Sequence, residues 1–212
     1  MKLLVVAATQ KELTKVYEHF NLPTEDFIET SNFDILITGV GMTATAFSLG
    51  QQLDKKYDLV LNVGIAGSFD KNTPLGDLVN VFQDTFAELG AEDHDGFLTI
   101  DELGFGKSSY SSSYNLSDLP KVNGITVNKV HGNSDSIEVI VKRFAPQVES
   151  MEGAAVLYAC EKLNIPCLQV RSISNYVTPR AKETWKIGLA IKNLNEWVID
   201  FLTTDNLNRP RL

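Results

Sequence analysis

Between Glu149 and Asn175 the chain spells out a helix followed at once by a strand, and no other stretch constrains the fold as tightly. Ser150 can cap the helix, and Gly153, Ala154 and Ala155 make a face small enough to lie close against a sheet. The helix continues through Val156, Leu157 and Cys160 and fades at Asn164-Ile165-Pro166, because proline disfavours the helical conformation of its predecessor. Cys167–Val170 then reads as a short apolar strand that carries Arg171, Ser174 and Asn175 to its carboxyl end. In open α/β sheets that end is where ligands sit. The helix start thus offers a carboxylate, Glu152, and the strand end an amide and a guanidinium.

The same alternation runs through the rest of the chain. Residues 2–8 read as a buried strand leading to Thr9 and an amphipathic helix with Leu13, Val16, Tyr17 and Phe20. Residues 34–40 form a second strand that ends at Gly39-Val40-Gly41, before a helix through Ala44, Phe47, Leu49 and Leu53. Residues 58–65 form a third, ending in a turn at Gly64-Ile65-Ala66-Gly67, and residues 76–82 a fourth with visible alternation. Residues 84–120 sustain no period and are expected to form a flexible surface excursion or lid. Residues 125–130 return to strand, Ser136 opens a helix through Ile137, Val141 and Phe144, and a last helix uses Trp185, Leu189, Leu194, Trp197 and Phe201. Residues 1–202 are therefore expected to be one layered α/β domain, with residues 203–212 a polar tail that frays.

Composition excludes several functions. A net charge of −8 disfavours nucleic acid as a partner. The apolar run from Leu3 to Ala8 is too short for a signal sequence or a membrane span, so a cytoplasmic protein is expected. Cys160 and Cys167 lack metal-like spacing and read as reduced core residues, with a bridge between them left open.

Each motif also has a plain structural reading. Gly39-x-Gly41-x-x-Ala44 matches a dinucleotide fingerprint only superficially, since no acid follows at the next strand end to hold a ribose hydroxyl; a tight strand-to-helix turn is the better reading. Asp93-x-Asp95-Gly96 imitates a calcium loop, but counting back from the glycine puts Ala91 where the first ligand belongs. His94 reads as an exposed loop residue, and His19 and His131 have no partners at metal spacing. No metal site and no cofactor are expected. Glu12, three residues after Thr9, completes a capping box, which local sequence alone favours. Glu152 could simply complement a helix dipole. Arg171 reads equally well as a pocket wall or as an ion-pair partner of Glu149 or Glu152.

Glu149-x-Met151-Glu152-Gly153-Ala154-Ala155 followed by Arg171-x-Ile173-Ser174-Asn175 resembles the purine nucleoside phosphorylase/nucleosidase superfamily, over roughly residues 1–202. Within it, the run Ser174-Asn175-Tyr176-Val177-x-x-Arg180 with Trp185, and the run from Ala87 to Asp93, look most like the futalosine hydrolases. The resemblance implies a three-layer α/β/α sandwich with a central mixed sheet, nucleoside phosphorylase-like, and a homodimer or higher homo-oligomer. It implies that Glu12 activates the attacking water, that Met151 and Glu152 hold the ribose, and that the loop with Gly64, Ala66 and Gly67 lines the pocket near the sugar. Arg171, Ser174 and Arg180 are expected to contact substrate.

Asn175 stands where adenine-cleaving relatives carry aspartate. A 6-oxopurine offers two acceptors, O6 and N7, and an amide NH2 brings two donors to meet them. All five arginines lie in the last third, away from the Gly-rich loops, so water rather than phosphate is the expected nucleophile. The expected partner is a small-molecule purine nucleoside, with no nucleic acid and no membrane. Two other functions fit less well: a methylthioadenosine/S-adenosylhomocysteine nucleosidase, which Asn175 opposes, and a non-catalytic nucleoside-binding module, which would not need Glu12. The residue that stacks on the purine is not assigned, because Gly132-Asn133-Ser134-Asp135-Ser136 lacks the phenylalanine found in the adenine-specific enzymes.

Overall fold

The computed structural model describes residues 2–94, 96–114, 118–180 and 182–204. Its organising element is β1 (Leu3–Ala7), whose five residues are all buried. Successive strand side chains point to opposite faces. Leu3, Val5 and Ala7 meet Val16 of α1 (Thr14–His19) and Leu194, Val198 and Phe201 of α5 (Ile187–Thr203). Leu4 and Val6 meet Leu49 of α2 (Met42–Gln52) and Val156, Leu157 and Cys160 of α4 (Gly153–Leu163). Burial on both faces explains why the strand is uniformly apolar rather than alternating. Three layers result, helix on sheet on helix, as expected.

β1 pairs in parallel with β3 (Phe33–Ile37) and with β4 (Leu59–Ser68), and β2 (Phe27–Glu29) lies antiparallel at the edge beside β3. The other side of β4 carries β11 (Cys167–Tyr176) in parallel. β5 (Leu78–Phe86) runs antiparallel to β11 and parallel to β9 (Lys121–Thr126). β10 (Val148–Ser150) runs parallel to β9 and returns antiparallel to β4, with Glu149 opposite Gly67. Strands β4, β11, β5, β9 and β10 thereby close on themselves. Along one edge β4 borders β1 as far as Asn62 and β10 from Gly67 onward. Gly64, Ile65 and Ala66 lie at the fork between them.

Several expectations need correction. Gly64–Gly67 is not a turn; β4 runs straight through it, and the glycines are there for space. The described residues of the expected lid at 84–120 carry built structure: β5 extends to Phe86, β6 (Gly90–Asp93) and β7 (Gly96–Thr99) make a hairpin, and β8 (Ser109–Ser111) pairs with β5. β6, β7 and β8 are three or four residues long, too short to display a period, and Asp84 in β5 and Tyr110 in β8 are buried. Asp95 of the calcium-like run lies outside the described residues, and no metal-binding group of three or more His, Cys, Asp or Glu occurs among the described ones. Ser150 ends β10 rather than capping α4; Glu152 takes the N-cap position, with the Ser150 hydroxyl 3.4 Å from the Gly153 N–H. β11 is longer than expected and leaves Arg171 in mid-strand. Trp185 precedes α5. α3 (Ser134–Phe144) is capped by Asn133, whose side chain accepts from the Asp135 and Ser136 amides. Both cysteines are free and buried. Thr203 is still helical, and the expected tail lies from residue 205 outside the described residues.

Candidate active site

A cavity of about 380 Å³ opens at the β4 fork. Glu12, Ala66, Gly67 and Met151 line it, together with Glu152, Ser174, Asn175 and Arg180. Of the residues expected at a site, only Gly64 and Arg171 stand behind the wall rather than in it.

Glu12 follows β1 in a short 3-10 turn that starts at extended Thr9. One carboxylate oxygen accepts the Thr9 N–H at 3.0 Å, its half of the capping box, and also the Thr9 hydroxyl at 3.1 Å. The other accepts the Ile65 N–H at 3.2 Å, across the fork. One side chain thus both caps the turn and faces the cavity. Burial raises its pKa above the ordinary carboxylate value, opposed by the charge of Arg171 and the Ile65 N–H, and assisted by the nearby Glu152. A raised pKa makes a better proton acceptor. Gly64 leaves room for this pair, because a Cβ would sit 3.0 Å from Glu12 Oε1 and 3.3 Å from the Arg171 guanidinium and press on both.

Arg171 is 1% exposed and bonds Asn62 at 3.3 Å and the Val170 carbonyl at 3.4 Å; its Nε has no partner among the described residues. Neither sequence reading holds for it. It makes no ion pair with Glu149 or Glu152, and it acts on Glu12 through space from behind the cavity wall. Asn62 leads on to Gln169, whose amide donates to Asp84 at 2.7 Å. Asp84 also accepts from Thr126, whose hydroxyl receives the Ala154 N–H at 2.7 Å. This buried chain explains Gly153, since a Cβ there would collide with Asp84 and Gln169.

Glu152 accepts the Gly41 N–H at 2.9 Å. Gly39 and Gly41 have φ of +82° and +95°, so the glycine pair makes the tight strand-to-helix turn expected of it and holds a carboxylate rather than a dinucleotide. Asn175, near the end of β11, has its oxygen engaged by the Ser174 hydroxyl at 2.8 Å and one amide hydrogen aimed at the Tyr176 carbonyl at 3.2 Å. That corrects the two-donor expectation: one N–H remains for the cavity. The Arg180 guanidinium lies 5.2 Å from the Trp185 ring centroid, and both line the cavity.

Sequence reasoning missed one pair in the wall. His131 Nδ1 is 2.6 Å from Glu149 Oε2, and the His131 N–H donates to Glu149 Oε1 at 3.0 Å. His131 lies in the loop after β9 and Glu149 in β10, eighteen positions apart, so no local spacing announces them. Trp185, expected in the last helix, instead supplies the cavity with its only Phe, Tyr or Trp ring among the described residues.

The Phosphorylase superfamily model matches residues 125–203. The futalosine hydrolase of Streptomyces coelicolor is 32% identical, across 93% of this chain and 94% of that protein. The aminodeoxyfutalosine nucleosidase of Helicobacter pylori strain 26695 is 26% identical, across 82% of this chain and 85% of its own length. A solved native structure of the futalosine hydrolase of Helicobacter pylori strain 26695 superposes with a TM-score of 0.81 at 18% identity, covering 95% and 97% of the two chains.

Proposed function

The chain belongs to the futalosine hydrolase family of the phosphorylase superfamily, and from that membership we propose that it hydrolyses the N-glycosidic bond of futalosine, a 6-oxopurine nucleoside, releasing hypoxanthine and dehypoxanthine futalosine in menaquinone biosynthesis. The observation that carries this reading is the meeting, in one cavity, of Glu12 at the β4 fork, Met151 and Glu152 at the start of α4, and Asn175 near the end of β11.

In this reading Glu12 takes the proton of the attacking water, and Glu152 holds ribose hydroxyls with the oxygen that Gly41 leaves free. Met151 packs against the sugar, and Trp185 offers the ring for stacking. Asn175 donates to the purine edge as negative charge develops there. Arg180, steadied by Trp185, pairs the carboxylate on the aromatic 5′ tail of futalosine.

A homodimer is the proposed assembly. An apolar groove of about 400 Å³ runs between α2 and α4, lined by Met42, Ala46, Leu89 and Tyr158 among others. Its start adjoins Val40, which is exposed and also lines the active cavity, so a second copy seated there would border the cavity mouth. Light scattering reads this directly. The buried, unlinked cysteines fit a reducing cytoplasm.

Purified protein incubated with futalosine, inosine and methylthioadenosine, with and without phosphate, tests the activity. Free hypoxanthine from futalosine without phosphate is expected; adenine release alone, or a strict need for phosphate, would overturn the reading.

A further inference from the structure

This inference rests on the hydrolase reading just given and concerns the fate of the leaving purine. A departing 6-oxopurine presents two acceptors, N7 and O6, on one edge. Asn175 serves only one of them, because its second N–H is directed at the Tyr176 carbonyl and its oxygen is engaged by Ser174. An amide also has no proton to surrender at neutral pH.

A second polar pair lies on the same side of the cavity. A Cβ on Gly67 would lie 3.1 Å from Asn175 Nδ2 and 3.6 Å from Glu149 Cγ, so the two side chains both approach the same glycine. Glu149 is 3% exposed and grips His131 twice, through the backbone N–H and through Nδ1. The imidazole is 11% exposed and lines the cavity. Its Nε2, at the ring edge opposite the clamp, has no hydrogen-bond partner among the described residues. Burial holds the Glu149 carboxyl above its ordinary value, against the hydrogen bonds and charge of His131.

We infer that His131 is the acid that protonates the departing purine, and that Glu149 positions it. The resting pair carries two protons, one in the short Nδ1···Oε2 bond and one on Nε2. As the bond from C1′ to N9 breaks, its electron pair passes into the purine and Nε2 gives its proton to N7. The bridging proton settles on Nδ1, leaving neutral imidazole beside the Glu149 carboxylate. Glu12 takes a proton from the water whose oxygen bonds to C1′. Solvent then restores the Nε2 proton, and Glu12 releases its own. His131 also borders a second, open cavity of about 650 Å³ that includes Glu88, Glu92 and His94, which gives solvent a route to the ring.

The test compares leaving groups. His131→Asn keeps an amide donor for Glu149 and removes the transferable proton. Its kcat/KM on futalosine and on the 6-amino counterpart should fall by roughly 10²–10⁴, the range of general acid catalysis, in similar proportion. Cleavage of p-nitrophenyl riboside, whose leaving group is stable as an anion, should change by less than about threefold. Glu149→Gln should show the same contrast with a smaller loss, and it carries the test if His131→Asn does not fold. Equal losses on all three substrates would make His131 structural, unchanged rates would remove it from the reaction, and a loss confined to the 6-oxopurine would make it a reader of the base; each overturns the inference. Wild-type protein that leaves every purine nucleoside intact would instead overturn the hydrolase reading beneath it.

Discussion

Asp34 and Asp84 are both shut off from water, and their surroundings drive them in opposite directions. Asp34 lies in β3, in the part of the sheet built from β1, β3 and β4. Burial raises its pKa, but hydrogen bonds from Lys2, Tyr57 and the Thr30 amide, with the Lys2 charge, outweigh that and hold it below the ordinary value. Asp84 lies in β5, inside the closed ring of strands. Burial pushes it up to about 6, and the bonds from Gln169 and Thr126 offset only part of the rise. Their pH signatures are therefore opposite. Asp34 contributes stability that is present above its unfolded pKa and lost as pH falls through its lowered folded value. Asp84 contributes stability that is present below its unfolded value of 3.8 and lost as pH rises through about 6. One half of the molecule uses a buried charge to tie its edge together. The other tolerates a chain of polar groups, from Arg171 to Thr126, that supports the wall carrying Glu12 and the start of α4.

If this division is right, substitutions in the two halves should fail in different ways. Glu12→Gln should keep futalosine binding and lower kcat by roughly 10²–10⁴, because an amide cannot take the water's proton. Single-turnover kinetics beside a melting curve checks this; a lower Tm with kcat intact would reduce Glu12 to its capping role. Leu61→Ala, in the apolar core between β4 and the helices, should cost about 2–5 kcal/mol of stability in urea titrations while the folded fraction keeps its kcat. A large loss of activity in the folded protein would mean that the two halves are not separable.

Asp84→Asn should gain on the wild type by about 1–3 kcal/mol between pH 4 and pH 7, since it removes a carboxyl that becomes costly to bury as it ionises. A difference that does not vary with pH would show that Asp84 does not titrate in this range. Arg180→Ala should lower kcat/KM for futalosine about tenfold and leave inosine nearly unchanged, as expected for an exposed charge that pairs a tail only one substrate carries. Equal losses would make Arg180 structural.

The two halves also differed in how much the sequence disclosed. The uniformly apolar run in β1 and the Thr9-x-x-Glu12 spacing are local signals, and both appear in the structure as read. The ring was harder. Gly64 and Gly67 looked like turn residues because nothing in the sequence says that Glu12, Arg171 and Asn175 press on them from distant elements. β8 and β10 are three residues long and owe their existence to partners far along the chain. His131 and Glu149 meet because β9 and β10 pair across more than twenty residues of intervening chain, so neither spacing nor composition could reveal them. Asn175 was legible as a residue type, but its single free N–H depends on the path of the backbone at Tyr176.

The central claim is that this cavity cleaves a purine nucleoside and reads the 6-position of its base through Asn175. Futalosine and its 6-amino counterpart share the same tail, so the ratio of their kcat/KM values isolates that position. Asn175→Asp replaces a donor by a group that sets a lone pair or an anion against O6, at a cost of roughly 1–3 kcal/mol, and gains an acceptor for a 6-amino group. The ratio of futalosine to 6-amino cleavage should fall by about one to two orders of magnitude. A well-folded Asn175→Asp enzyme whose ratio equals that of the wild type would contradict the account.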